Sequence, residues 1–295
     1  MKILFTADLH LLRATRDQTL ERFRGWIARH RPDAVIVAGD LSSAPQAAET
    51  LKEIRGCFPQ GPLAVCLGNH DFWLHDNTRN ECRMLSTVID RYWAPPAEAL
   101  DVVLLDVQNL PLRGLTIVGG YGHYDLGFAI PGLAYGDVLV TEEDYLRGSP
   151  YPTSPLRWRD FQLMPSGLHP RKVALEQVES MKMRLSESGD AQVIVVLHTP
   201  PFEELLGVPS VTEPSSDSSL SVYAFFRAYL GNRSMGAALW ESREKVIAVV
   251  CGHTHRLAGP MKLGRMTGIN IGSDYGDPKA ALFLSDANRF ERLPD

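Results

Sequence analysis

The sequence is poor in cysteine, with four cysteines in 295 residues and no pair spaced as Cys-x-x-Cys. This scarcity excludes a disulfide-stapled fold and a structural zinc site built from paired cysteines. Cys66 and Cys251 stand inside apolar runs, where cysteine behaves as a small hydrophobic side chain. We therefore expect all four thiols to be reduced and the protein to be cytoplasmic.

The sequence also lacks long apolar runs, and none approaches the ~20 residues that cross a bilayer. The opening segment MKILFTADLH reaches an acid too soon to be the apolar part of a signal peptide. Positive charge is not in excess either, since 30 basic residues stand against 35 acidic ones, a net charge of −5. We therefore expect no membrane partner and do not favour a nucleic-acid partner, although a local basic patch stays open. Nothing in the sequence indicates the oligomeric state.

What the sequence does contain is a set of short, continuous apolar runs rich in valine and isoleucine. Five of them are ILFTA (3–7), AVIVAG (34–39), LAVCL (63–67), VIVVL (193–197) and VIAVV (246–250). Runs of this length without polar alternation are typical of strands that are buried on both faces of a sheet.

Helical patterns separate these runs. Apolar residues recur at spacings of three and four over residues 17–30, 47–58 and 174–185. Residues 266–273 and 279–285 are expected to form shorter strands without intervening helices. The alternation of buried strands with amphipathic helices predicts βαβ units and an α/β fold.

Two irregular stretches interrupt the alternation, at about residues 121–170 and 200–240. Long irregular segments within a compact domain are usually functional or mobile. The polar segment 207–221 is expected to be flexible, and the apolar segment 222–230 after it to be a core helix, with a lid helix as the alternative. We predict a single domain over residues 1–295 that carries a cap or loop insertion in each stretch.

Side chains that can bind a metal follow the five apolar runs, where each run ends. They are Asp8, His10, Asp40, Asn69, His70, His198, His253 and His255. The carboxyl ends of parallel strands share one edge of a sheet, and ligands bind at that edge. Scattered core histidines would not all follow the same end of five strands, so we expect these side chains to converge.

The chemistry of this set indicates a particular kind of metal site. It holds Asp, Asn and His but no cysteine, which suits Mn²⁺, Fe or catalytic Zn²⁺. With His70 set aside, the seven candidate ligands are too many for one ion with an open position and about right for two. A pair of ions needs a bridging carboxylate, and Asp40 is the candidate.

These residues, in this order, resemble the signature of the calcineurin-like metallophosphoesterases. The matching motifs are DLH (8–10), GD (39–40), GNHD (68–71), H (198), GHTH (252–255) and the later INIGS (269–273). The resemblance extends from residue 3 to about residue 273 and is not visible in 121–170 or 200–240. It implies a four-layer αββα sandwich, with two mixed β-sheets flanked by helices, and a binuclear metal centre.

The resemblance also implies roles for individual residues. One metal would be held by Asp8, His10, Asp40 and His255, and the other by Asp40, Asn69, His198 and His253. His253 and His255 would then serve different ions. We expect extended backbone there, because a one-residue gap in an extended chain turns both side chains the same way.

The implied activity is hydrolysis of a phosphomonoester or phosphodiester, of a small molecule or nucleotide, by a metal-activated hydroxide. His70 would supply the leaving group with a proton or a positive neighbour. The sequence does not separate monoesterase from diesterase activity. His123, in GGYGHYD, is interpreted either as a contact to substrate phosphate or as an ordinary surface histidine.

A group of basic residues in the first irregular stretch has two interpretations. It could read phosphate or form a solvated face, and nearby acids such as Asp160 favour the solvated face. The group consists of Arg147, Arg157, Arg159, Arg171 and Lys172.

The chain departs from the protein phosphatases of that superfamily, which carry GDxxDRG. Here the segment is GDLSSAP, so Ser43 stands where their second acid would be and their arginine is missing. This weakens a protein-phosphatase interpretation and leaves the orientation of His70 unexplained. The alternative function is a catalytically silent scaffold with the same fold. Scaffold members typically lose ligands, and the presence of all seven with His70 favours the enzyme.

Overall fold

The computed structural model describes residues 1–75, 78–207 and 223–294. Its strands are β1 (Lys2–Thr6), β2 (Ala34–Ala38), β3 (Leu63–Cys66), β4 (Val103–Leu104), β5 (Leu110–Leu112), β6 (Leu115–Gly120), β7 (Ala134–Tyr135), β8 (Val138–Leu139), β9 (Gln192–Leu197), β10 (Val246–Cys251), β11 (Ala258–Leu263), β12 (Met266–Asn270), β13 (Ala280–Leu284) and β14 (Arg289–Arg292). Its helices include α1 (Arg16–His30), α2 (Ala47–Cys57), α3 (Thr78–Glu81), α4 (Leu85–Val88), α5 (Ala94–Ala99), α6 (Glu142–Arg147), α7 (Asp160–Leu163), α8 (Pro170–Glu187) and α9 (Arg233–Glu241).

The strands form two mixed six-stranded sheets. The first has the order β14-β13-β1-β2-β3-β4, in which β1 to β4 run parallel, β13 is antiparallel to β1, and β14 is antiparallel to β13. The second has the order β11-β12-β10-β9-β6-β5, with the four inner strands parallel and both edge strands antiparallel. The five apolar runs are confirmed as strands, and each lies inside its sheet, which explains why none alternates with polar residues.

Three apolar clusters separate the layers. One lies between the two sheets and includes Ile36, Ile194 and Phe283. A second packs α1, α2 and α5 against the first sheet, and a third packs α8 and α9 against the second. The predicted αββα sandwich is therefore confirmed.

The first irregular stretch, 121–170, builds a small aromatic cluster with part of the second. The ring of Tyr145 stacks on Phe225 at 4.9 Å, and that of Trp158 stacks on Tyr229 at 4.9 Å. The described part of 222–230 thus packs in a core, as the core-helix alternative expects. The predicted flexible segment 207–221 lies outside the described residues after Gly207.

All four cysteines are free and buried. Within the described ranges, every helix is too short or too polar to cross a membrane.

Arg292 links the edges of the two sheets. It lies on β14 of the first sheet, and its guanidinium donates to the carbonyls of Ala258, Gly259, Asn270 and Ile271 on or beside β11 and β12 of the second, at 2.8–3.1 Å. One side chain therefore donates hydrogen bonds to four backbone carbonyl oxygens of the other sheet.

We predict that Arg292→Met lowers the free energy of unfolding by about 3 kcal/mol, because carbonyls lose charge-assisted hydrogen bonds. Urea denaturation measures the change. Arg289→Met on the same strand is the control, since Arg289 is exposed and pairs only with Glu291 among the described contacts. That control should stay within about 0.5 kcal/mol of wild type. Equal losses in the two variants would contradict a specific link between the sheets.

Candidate metal centre

All seven predicted ligands meet where the carboxyl edges of the two sheets face each other. Asp8, His10, Asp40 and Asn69 follow strands of the first sheet, and His198, His253 and His255 follow strands of the second. Backbone hydrogen bonds continue the ladders beyond the strands, from Asp8 N to the Gly39 carbonyl at 2.9 Å and from Gly252 N to the His198 carbonyl at 3.0 Å. The loops that carry the ligands are thus held by the sheets themselves.

The ligand atoms fall into two groups that share one carboxylate. In the first, atoms of Asp8, His10, Asp40 and His255 lie within 4.8 Å of one another, and in the second those of Asp40, His198 and His253 do so. Asn69 joins the second group, because its Oδ1 lies 3.1 Å from His198 Nε2. Each group has the donor set and spacing that could hold a metal ion.

The imidazoles face one another at close range. His10 Nε2 lies 3.1 Å from His255 Nε2, and His198 Nε2 lies 3.1 Å from His253 Nδ1. Nitrogens from loops of both sheets converge in this way on two neighbouring points. Converging nitrogens with nearby carboxylates are typical of metal ligands.

The cluster also contains a carboxylate oxygen without a partner. Asp8 Oδ1 accepts a hydrogen bond from the backbone N–H of His253 at 2.9 Å, but Asp8 Oδ2 is buried and has none among the described atoms. An unpaired buried oxygen is costly in the absence of a compensating charge. A metal ion bound by Asp8 would supply that charge.

Backbone strain is concentrated at the ligands. Asp8, His10, Asp40, His253 and His255 all have positive φ, between 39° and 70°. The expectation of extended backbone at His253 and His255 is therefore wrong. Left-handed backbone lets the chain turn back sharply after each strand and keeps the side chains over the sheet edge. Non-glycine residues adopt it at a cost of about 1 kcal/mol or more each, and such strain clusters at functional sites.

Two glycines of the motifs are required by close packing. A Cβ on Gly68 would lie 2.2 Å from Asp40 Oδ1, and a Cβ on Gly252 would lie 2.3 Å from Asp8 Oδ2. Each glycine therefore leaves room for the carboxylate that it faces, which explains its position next to a ligand in the sequence.

The outer nitrogens of three ligand imidazoles are held by acceptors. His198 Nδ1 lies 3.0 Å from the Ala38 carbonyl, His253 Nε2 lies 3.0 Å from the Tyr229 carbonyl, and His255 Nδ1 lies 3.0 Å from Asp274 Oδ1. Such contacts fix the ring orientation and direct the other nitrogen inward. Sequence reasoning did not identify Tyr229 or Asp274. Asp274 directly follows INIGS, and nothing local marks Tyr229.

Burial and mutual charge set the protonation of the cluster. Burial raises the pKa of Asp8 to about 6. Burial also acts to raise the pKa of Asp40, but the imidazoles of His198 and His70 outweigh it and hold that pKa well below its ordinary value. Burial, with His198 beside it, lowers the pKa of His253 to about 3. His253 is therefore neutral near pH 7, which is the form that binds a metal. Burial acts to lower the pKa of His198, but Asp40 and Asp8 outweigh it and raise that pKa to about 9, so a metal ion at this place would displace a proton from His198.

His70 stands beside the ligands and faces an open cleft. Its backbone N–H donates to Asp40 Oδ1 at 2.9 Å, and its Nε2 lies 3.8 Å from Asp40 Oδ2. Its ring stacks on Trp73, with ring centroids 3.6 Å apart and planes 22° apart. Asp71 accepts hydrogen bonds from the backbone N–H groups of Leu41, Ser42 and Gly68, a role in positioning the loops.

His123 is buried beside two tyrosines. It is 1% exposed, so the interpretation as a surface histidine is wrong. Its ring packs against Tyr121 and Tyr124, and it is not among the residues that line the cleft beside His70. Burial lowers the pKa of His123 to about 3, and both of its ring nitrogens lack a partner among the described atoms.

The predicted basic group divides in the structure. Arg147 pairs with Asp144, Arg171 with Glu142, and Lys172 lies 4.0 Å from Glu176, as expected of a solvated face. Arg157 and Arg159 instead line the cleft.

The cleft has a volume of about 860 Å³ and opens directly over the ligands. Its lining combines aromatic and basic side chains with three carboxylates, those of Asp40, Asp160 and Asp274. The aromatic and basic members are Trp73, Trp158, Phe226, Tyr275, Arg157, Arg159 and Arg256. Arg159 lies over the ring of Trp73, with its Cζ 5.6 Å from the centroid. Such a surface fits an anionic substrate with a flat or apolar part.

Comparison with known proteins agrees with this architecture. Phosphopantetheinyl hydrolase from Mycobacterium tuberculosis has a similar structure, with a TM-score of 0.67 and 17% identity over 100% of this chain and 96% of its own. The protein TT1561 of Thermus thermophilus has a TM-score of 0.55 and 16% identity over 99% and 97%. A dimetal phosphatase from Danio rerio has a TM-score of 0.51 and 13% identity over 95% and 92%.

No curated protein matches the chain. The family profile described as calcineurin-like phosphoesterase matches residues 1–257, which contain all seven candidate ligands. The chain therefore belongs to the calcineurin-like phosphoesterase family.

Proposed function

We propose that the protein is a metal-dependent phosphohydrolase that uses two metal ions to cleave a small phosphoester or a nucleotide. The observation that carries the proposal is the pair of ligand groups that share Asp40 next to His70. Members of this family usually bind two metal ions, and the unpaired Asp8 Oδ2 supports a cation at this place.

The residues would divide between the two ions in a definite way. Asp8, His10, Asp40 and His255 would hold one, and Asp40, Asn69, His198 and His253 the other. Oxygen and nitrogen donors without sulfur favour Mn²⁺, Fe or Zn²⁺. Ions of this kind polarise phosphoryl oxygens and make a water a stronger nucleophile at neutral pH.

The other residues of the cleft would act on the substrate. His70 faces the cleft and could donate a proton to the leaving oxygen, while Trp73 holds its ring in plane. Arg159 and Arg256 line the cleft and would contact anionic groups of the substrate. We also propose a cytoplasmic location, since the four cysteines are free.

The alternative function is a catalytically silent scaffold. It would be favoured by the loss of ligands, and none of the seven is displaced from the cluster. Activity measurements decide between the two functions.

We predict Mn²⁺-dependent hydrolysis of at least one of two esters, p-nitrophenyl phosphate and bis-p-nitrophenyl phosphate. The protein would be stripped with chelator, refilled with Mn²⁺ and assayed on both, and the ratio of rates would begin to separate monoesterase from diesterase activity. A wider panel of substrates would include phosphopantetheinyl esters, because the mycobacterial structural neighbour is named a phosphopantetheinyl hydrolase. Absence of turnover across the panel, with Mn²⁺ bound, would favour the scaffold.

We predict that Asp40→Ala lowers bound Mn²⁺ from two equivalents to one or none and abolishes hydrolysis, because both groups lose their shared carboxylate. Equilibrium dialysis with elemental analysis measures the content. Asp106→Ala is the matched control, since Asp106 also follows a strand of the first sheet but lies outside both ligand groups, and its carboxylate accepts from the backbone of Leu67 and Tyr121. Two equivalents retained by Asp40→Ala would refute the shared ligand.

We predict that His70→Asn lowers kcat by about 10²-fold or more while both ions stay bound, because a general acid is removed. The loss should be largest for esters with poor leaving groups, which need the proton most. A series of aryl phosphates with leaving groups of increasing pKa measures this dependence. Losses that are equal across the series would assign His70 to binding instead.

A further inference from the structure

One buried carboxylate outside the ligand cluster receives three side-chain hydrogen bonds. Asp160, at the start of α7, is 2% exposed. Its Oδ1 accepts from Asn69 Nδ2 at 3.0 Å and from Trp73 Nε1 at 2.7 Å, and its Oδ2 accepts from Trp158 Nε1 at 2.9 Å. Each of these donors belongs to a residue of the cleft wall.

The first of these bonds determines how Asn69 presents its amide. A side-chain amide has one oxygen and one nitrogen, and only the oxygen can bind a cation. Because Asp160 accepts from the nitrogen, the Asn69 oxygen is directed toward His198 Nε2, 3.1 Å away. Without that acceptor, the amide could turn over and present its N–H₂ group to the cluster.

The second bond acts on His70 through an indole. Trp73 Nε1 donates to the same Asp160 oxygen, and the face of that indole carries the His70 ring at 3.6 Å. Asp160 therefore fixes the plane on which His70 lies. The orientation of His70, which the sequence leaves unexplained because Ser43 stands in place of an acid, has a physical cause here.

The third bond ties this arrangement to the aromatic cluster of 121–170. Trp158 donates to Asp160 Oδ2, stacks on Tyr229 at 4.9 Å, and is held by its backbone N–H to the Gly148 carbonyl at 2.8 Å. The irregular stretch is thus connected to a candidate ligand and to the candidate acid through one carboxylate.

We infer that Asp160 is a positioning residue that orients Asn69 as a metal ligand and, through Trp73, orients His70. This inference rests on the proposed function. It gives residues 121–170 a part in forming the site, since the carboxylate comes from that stretch and not from the motifs.

The test compares Asp160→Asn with Asp144→Asn in the full-length protein. Asp144 lies in the same stretch and is also buried, but it caps α6 by bonding to Thr141 and does not line the cleft. Calorimetric titration of Mn²⁺ into the stripped proteins should show affinity for one of two equivalents falling about 10- to 100-fold in Asp160→Asn, as for other residues that orient ligands. The other equivalent should be unchanged, and Asp144→Asn should resemble wild type.

A second readout needs neither metal nor substrate. The indole N–H resonances of Trp73 and Trp158, assigned with Trp73→Phe and Trp158→Phe, should move upfield in metal-free Asp160→Asn as they lose a carboxylate acceptor. They should keep their positions in Asp144→Asn. The kcat of Asp160→Asn should fall most for esters with poor leaving groups, which is the dependence predicted for His70→Asn.

Unchanged Mn²⁺ affinity and unmoved indole resonances in Asp160→Asn would overturn the inference, and so would equal losses in Asp144→Asn. Failure of the proposed function gives a different pattern. Wild type would then hydrolyse no ester, while Asp160→Asn would still bind Mn²⁺ more weakly than wild type.

Discussion

The carboxylate of Asp40 is the group on which the rest of the site depends. It is 1% exposed, it belongs to both ligand groups, and it accepts the backbone N–H of His70. A buried charge of this kind is tolerated only when other charges or hydrogen bonds surround it. The two sheets supply them from opposite sides, with His10 from the first and His198 from the second. The two carboxyl edges therefore face each other for an electrostatic reason as well as for packing, since both are needed to stabilise the buried charge of Asp40.

The site is held in a strained form by the layers beneath it. Five ligand residues with left-handed backbone cost about 5 kcal/mol together, comparable with the net stability of many domains. Continuous apolar strands and three packed clusters offset that cost. The sequence separates these tasks, since the five apolar runs that precede the ligands carry almost no polar residues and the residue types needed for binding begin where those runs end.

Much of this arrangement could be predicted from the sequence, and the limits are physical. Asp8 and His253 are predictable as candidate ligands, because a strand that is buried on both faces leaves a recognisable apolar run before each of them. Trp73, Asp160 and Asp274 are not predictable in this way, because each makes a contact between distant segments that no local pattern records. The left-handed backbone at His253 could not be predicted, because periodicity describes regular elements and not the turns that end them. The burial of His123 could not be predicted, because a glycine-rich surrounding says little about burial.

The pairing of β1 with β13 also constrains how the protein can be made. Lys2 lies opposite Leu284, so β1 pairs on this side with a strand that is far away in the sequence. During synthesis, β13 therefore emerges from the ribosome long after β1. Until β13 has been synthesised, one edge of β1 is unpaired. Asp8 likewise lacks its hydrogen bond from the backbone N–H of His253 until that residue has been synthesised. The nascent chain therefore exposes an apolar strand edge during most of the synthesis of these residues. Such an edge promotes aggregation, which chaperone binding would prevent.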